Sequence, residues 1–227
     1  MLQFDIRNTV EDQLLEDVRV ECDIVQGADL FSNDAEPIYI PAPTAAFEKN
    51  AVAYVAYPLN KTAALSEPTV LECVLKFIVK EVDPDDGTVD EFDEGENEEW
   101  DLERLTIRPL DFVVGLEVAS FGPAWKDLES AESTKAKINI AVGDIADVLP
   151  PVVAASGLSV CGGTDHVEDG ASTHMFQLSG VAVGTHKIMA LAQLVKGKTE
   201  SSGALKIHIR STHAGVMQAV LRALRSM

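Results

Sequence analysis

The sequence predicts two units, an antiparallel β-sandwich over residues 1–109 and an α+β unit over 110–227. Three observations carry this. Short apolar-alternating runs separated by Pro-, Asn- and Gly-rich turns fill the first half. Pro109 breaks the alternation. Beyond it, strands are interleaved with apolar residues at helical spacing.

In the first half, Leu2, Phe4 and Ile6 alternate with Gln3, Asp5 and Arg7, the pattern of a half-buried strand. This opening reads as the middle of a strand, as expected of an excised fragment with an added start methionine. Residues 8–13 are turn-like, and Leu15 to Ile24 form a second run through Val18, Val20 and Cys22. Ile38 and Ile40, held among Pro37, Pro41 and Pro43, fit a short edge segment, because proline cannot donate to an inner ladder. Residues 51–57 give another strand. Residues 70–82 give the strongest, with Leu71, Cys73, Leu75, Phe77 and Val79 on one face. Such an arrangement is an immunoglobulin-like sandwich.

Residues 83–101 are the most acidic stretch. Asp83 to Gly87 invites a calcium-loop reading, but Gly87 falls one place too early and no helices flank it. The stretch reads instead as a solvated hairpin loop extended by its own charge. Alternation resumes at Trp100 through Leu102, Leu105 and Ile107.

In the second half, residues 112–119 read as a strand, and Phe121 to Leu128 as a helical turn. A polar stretch leads to a strand at Ile138, Ile140 and Val142. A helix follows through Ile145, Val148, Leu149 and Val152, with Pro150-Pro151 expected to kink or restart it. Gly157 and Gly162-Gly163 close that segment. Strands are expected at 175–183, 187–195 and 204–211, with hairpin turns at Gly184-Thr185 and 198–203. Val216, Val220, Leu221 and Leu224 then mark an amphipathic helix ending in Arg222 and Arg225, whose charges suit its negative end. The unit is thus a small antiparallel sheet with helices packed on one face.

Composition excludes several classes of function. A formal charge of −19 over 227 residues opposes binding to nucleic-acid phosphates or to anionic lipid. Cys22, Cys73 and Cys161 are an odd, widely spaced set without a CxxC pair, so they read as buried thiols of a reducing compartment. His174, His186, His208 and His213 lack zinc-site spacing. No glycine-rich phosphate loop is present. Cys161 with His166 or His174 would make a nucleophile–base pair only if the fold joined them, and nothing in the sequence fixes that geometry. No cofactor, metal or catalytic residue is expected, and the protein reads as a non-enzyme.

Two features point to protein binding. Leu205, Ile207 and Ile209 alternate with Lys206, His208 and Arg210, giving one strand an apolar face and a basic or titratable one. Phe121, Trp125 and Leu128 lie three and four residues apart on one helical face. Periodicity alone reads that stripe as core. A basic groove beside an aromatic anchor would suit an acidic, aromatic-containing peptide.

The same residues carry a resemblance. Gln3-Phe4-Asp5, Leu15-Glu16-Asp17-Val18, Cys73-Val74-Leu75-Lys76-Phe77, the acidic insert, Phe121-x-x-Ala124-Trp125, Gly157-Leu158-x-x-Cys161, Leu178-x-Gly180, Gly184-x-His186 and Ile209-Arg210-Ser211 follow one another in order. The whole chain resembles the C-terminal appendage, or ear, of the coatomer gamma subunit of the COPI coat. The resemblance implies a β-sandwich followed by a platform, like the ears of clathrin adaptor large subunits. It implies a non-enzymatic protein-binding appendage serving Golgi-to-ER and intra-Golgi transport, cytoplasmic and peripheral on Golgi membranes and COPI vesicles. The expected partner is an Arf GTPase-activating protein, with other coatomer subunits reached through the full-length chain and the membrane only indirectly. Trp125 falls on the family's binding tryptophan and Arg210 on its last-strand arginine. Lys206, His208 and Phe121 complete the expected site. Leu191 and Gln193 stand where familiar members carry arginines, and residues around Pro150-Pro151 also depart from the family. The runner-up is a mainly architectural module contacting coat subunits without a short-peptide site. Phe121 and Leu128 are expected to pack inward, leaving Trp125 at the surface.

Overall fold

The computed structural model describes every residue except 33–35, 61–62, 66, 84, 86, 91, 183–184 and 200–201. The chain divides into two compact units, one of Met1–Ala63 with Pro68–Ile107 and one of Ala64–Glu67 with Arg108–Met227.

The first unit is all β. Its strands are β1 (Leu2–Arg7), β2 (Gln13–Gln26), β3 (Ile38–Ile40), β4 (Ala42–Ala45), β5 (Asn50–Ala56), β6 (Thr69–Glu81), β7 (Glu96–Asp101) and β8 (Leu105–Ile107). Among the described residues they form a sheet ordered β1-β5-β3 and another ordered β4-β2-β6-β7, with β8 also on β6. Leu15, Val18, Ala42, Ala45, Ala51 and Phe77 form a buried cluster joining the two sheets. That is a sandwich, as expected.

The inward face of β2 changes parity: Leu15 is buried, and so are Val18, Val20 and Cys22. A register shift between Glu16 and Arg19, with Asp17 at φ 47°, inserts the extra residue that makes this possible. Without such a bulge, one of the two sets would face water. Cys22 and Cys73 stand directly opposite each other on β2 and β6, Sγ to Sγ 3.1 Å, and burial pushes both thiols up. All three cysteines are free and buried.

Two details of this unit depart from the sequence reading. The strand β4 was missed because Pro43 lies inside it; β4 is a sheet edge, where a missing N–H costs no ladder bond. The acidic loop ends early, since Glu96–Asp101 pair with β6 as β7 despite their charge. The calcium-loop candidate Asp83–Gly87 lies partly outside the described residues.

The second unit comprises β9 (Val113–Gly115), α1 (Phe121–Asp127), β10 (Glu132–Ile140), α2 (Ile145–Ser156), β11 (Ser159–Val160), β12 (Thr173–Ala182), β13 (His186–Lys196), β14 (Gly203–Ser211) and α3 (Ala214–Arg225). Among the described residues its sheet runs β10-β14-β13-β12-β11, with β9 also on β12. Helices α2 and α3 pack against each other and on one sheet face. Ile188, Leu194, Leu205, Ile209, Ile145, Val216 and Leu224 are fully buried there. This is the α+β platform.

The expected strand at 112–119 is only Val113–Gly115, preceded by a short 3-10 turn from Pro109. The prolines expected to interrupt α2 do not end it. Pro150 and Pro151 sit on its exposed face, and Ala146 and Asp147, whose carbonyls lose their helical donors, are also exposed to water. Gly157 stops the helix at φ 68°, a left-handed cap that favours glycine. The helices do not all share one face: Phe121 and Leu128 of the α1 segment pack with Met189 on the side opposite α2 and α3. The expected turn at Gly184 and the middle of the 198–203 turn lie outside the described residues.

Candidate protein-binding site

The antiparallel register of the platform sheet fixes which side chains share its outer face. Arg210 lies between Ser133 and Met189, His208 between Lys135 and Leu191, and Lys206 between Lys137 and Gln193. Leu205, Ile207 and Ile209 point the other way and are buried. The alternation expected of the last strand is therefore realised. Lys206 of β14 and Lys135 and Lys137 of β10 are exposed. None has an ion-pair partner among the described residues. They border a groove of about 470 Å³ that also contains Met175, Leu191 and His208. Its floor is apolar and its rim is cationic, in a chain of charge −19.

The seven-residue helix α1 lies at the Arg210 end of this face. Phe121 and Leu128 are buried with Cys161 and Met189, while Trp125 is half-buried against that cluster together with Leu191. Phe121 stacks on Trp125 with ring centroids 5.7 Å apart. The His208 ring meets the indole edge-on at 5.0 Å. The Arg210 guanidinium lies over the indole, 4.4 Å from its centroid, and its Nη1 donates to the Trp125 carbonyl at 2.8 Å. A cation on an aromatic face is attracted by the ring quadrupole, more strongly when partly desolvated. Arg210 therefore positions Trp125, while its buried Nε has no hydrogen-bond partner among the described residues.

His208 Nε2 lies 2.8 Å from Ser133 Oγ. Burial first, then the nearby charges of Lys135 and Arg210, hold its pKa below the ordinary histidine value. These surroundings favour the neutral imidazole, and the lysines and Arg210 carry the positive charge of this face.

The fold brings Trp125, Phe121, Arg210, His208 and Lys206 onto one face. It adds Lys135 and Lys137, which sequence reading missed because β10 begins at Glu132 within what looked like a polar stretch. Their signal was available: counting back by twos from Asn139 reaches both. The Cys161–histidine pair does not form. Cys161 is fully buried with its Sγ 2.9 Å from Ser179 Oγ, and His174 Nε2 contacts the Thr164 carbonyl. Among the described residues no group of three or more His, Cys, Asp or Glu is placed to hold a metal ion, and no helix is long and apolar enough to cross a membrane.

Comparison with known families matches both units. Residues 1–108 fit the coatomer gamma subunit appendage platform subdomain, and residues 110–224 fit the coatomer subunit gamma-1 C-terminal appendage platform. The chain belongs to the coatomer gamma appendage family. That family supplies components of the COPI vesicle coat. Coatomer subunit gamma-2 of Oryza sativa subsp. japonica is 31% identical over 213 residues, covering 93% of this chain and 23% of the relative. Coatomer subunit gamma-1 of Rattus norvegicus is 27% identical over 196 residues, covering 86% of this chain and 22% of the relative. The gamma-2 subunit of Takifugu rubripes is 24% identical over 99% of this chain and 24% of its own length. The chain thus spans less than a quarter of the length of these relatives.

Proposed function

We propose that this chain is a non-enzymatic docking appendage of the COPI coat whose platform binds an accessory protein through an acidic, aromatic-bearing segment. The observation that carries the reading is the row of Lys135, Lys137 and Lys206, without ion-pair partners among the described residues, beside the half-buried Trp125. Trp125 supplies the apolar anchor. Arg210 and Phe121 hold it in place, and the lysines meet the partner's carboxylates, with His208 between them. Leu191 and Gln193 give β13 a neutral strip, so the cationic rim lies on β10 and β14. The resemblance to coatomer gamma makes an Arf GTPase-activating protein the first partner to test. On this reading the chain works in the cytoplasm, on Golgi membranes and COPI vesicles, and reaches the membrane through the rest of the coat.

A pull-down of the Arf GTPase-activating protein with wild type and Trp125→Ser tests this. Capture by wild type alone supports the docking site. Equal capture by both places the contact elsewhere and favours the architectural alternative, in which the appendage touches other coat subunits. Trp125 is packed as well as exposed, so the comparison is read alongside Lys135→Glu, an exposed change that leaves the fold intact.

A further inference from the structure

The sandwich carries a second aromatic surface of opposite electrostatic character. Strand β7 is the edge of its sheet and all six of its residues are exposed. Trp100, near its end, is 59% exposed and rests edge-on against Phe77, with centroids 5.5 Å apart. Beside it opens a groove of about 350 Å³ with Ile6, Leu75 and Phe77 at its base. Ile6 and Leu75 pack on the buried cluster between the sheets, so the groove is an uncovered margin of the sandwich core. Strand β1, on the other side, is likewise a sheet edge.

By alternation Glu96 and Glu98 share the face of Trp100, and both border this groove. Neither is in an ion pair among the described residues, whereas Glu99, on the opposite face, meets Lys76 at 3.8 Å. The cation at the rim, Arg7, is paired with Glu48 at 3.2 Å. The groove therefore offers an apolar base, a large exposed indole, free carboxylates on one lip and a row of unpaired backbone groups along β7. An exposed strand edge is a template for another strand. Glutamates guard it against another acidic chain, including a second copy of this one, but attract a basic one.

We propose that this groove docks an extended segment of a partner protein bearing lysines or arginines, which adds to the β7 edge as a strand. Its apolar side chains pack on Trp100 and Phe77, and its cations pair with Glu96 and Glu98. The site is separate from the platform face and selects the opposite charge.

The test uses a short synthetic peptide of repeating Lys-Thr-Val-Thr, which sets lysine and valine in turn on one strand face, with a glutamate-for-lysine control, followed by NMR of the isotopically labelled chain. The lysine peptide is expected to shift the β7 amides and the Trp100 indole, and Trp100→Ala to weaken its binding about tenfold. The double variant Glu96→Lys/Glu98→Lys, exposed and harmless to folding, is expected to reverse the preference between the two peptides. Binding that is unaffected in both variants shows bulk attraction to a negative chain and overturns the proposal. Hydroxyl-radical footprinting of the whole coat subunit adds a second arm. Oxidation of Trp100 is expected; a protected Trp100 shows that the subunit itself covers the groove, which also overturns it.

Discussion

The two tryptophans of this chain make different kinds of surface. Trp125 sits on a helix, half-buried, with Phe121 stacked on it, Arg210 over its face and His208 at its edge. Trp100 sits on an edge strand, 59% exposed, with the single aromatic neighbour Phe77. The less exposed indole is the better organised one, because most of the entropy of fixing it is already lost in folding. The surroundings also differ in sign: lysines beside Trp125 and glutamates beside Trp100, neither set in ion pairs among the described residues. If Trp125 is the anchor proposed above, exposure alone ranks the two in the wrong order, and the sign of the surrounding charge distinguishes the partners each would take.

Several substitutions test that contrast. The largest effect belongs to Trp125→Ser, which should abolish capture of the acidic partner. Because Trp125 packs against the Phe121–Met189 cluster, it should also cost about 1–3 kcal/mol, read as a lowered unfolding midpoint. If stability is unchanged, the ring is not packed as described. Next, the double variant Lys135→Glu/Lys206→Glu should weaken the acidic partner by about 2 kcal/mol or more, through loss of two attractions and gain of two repulsions. Its unfolding midpoint should stay near that of wild type, since both side chains are exposed and have no ion-pair partner among the described residues. Trp100→Ala should leave the acidic partner's affinity unchanged and cost the fold about 1 kcal/mol or less. An equal loss at both sites would mean that the tryptophans do not act independently.

The smallest effect is in pH. His208 has a folded pKa below its unfolded value, so between the two the unfolded chain binds more protons. Its contribution to stability is therefore complete above the ordinary histidine pKa and is lost as pH falls from that value through the lower folded one. Urea midpoints measured from pH 8 to pH 5 should decline, and His208→Gln should make that decline shallower. An identical slope in the variant would exclude His208 as a cause.

Much of the platform was legible because its strands obey a strict period of two. The apolar and basic faces of 205–210 are realised residue by residue, and Phe121 and Leu128 pack inward as their spacing suggests. The misses have local physical causes. Pro43 hid β4, since nothing in the sequence says that β4 is an edge. Charge hid β7, whose pairing comes from β6 and not from its own propensity. Pro150 and Pro151 look like helix breakers until the helix is seen to turn them toward water. At the site, Lys135 and Lys137 were overlooked because a polar stretch and a half-exposed strand read alike without the partner strand. Arg210, expected in the site, also lies over Trp125, a tertiary contact across 85 residues that no local pattern encodes.

Recruitment of an acidic partner by the cationic rim beside Trp125, as proposed above, is tested by the affinity of the purified Arf GTPase-activating protein for wild type and for Lys135→Glu/Lys206→Glu, titrated calorimetrically at low and at physiological salt. Attraction between exposed charges weakens as the Debye length shortens to about 8 Å at physiological ionic strength. Wild type should therefore bind more tightly at low salt, and the double variant should bind weakly at both. A wild-type affinity indifferent to salt and matched by the variant would contradict the account.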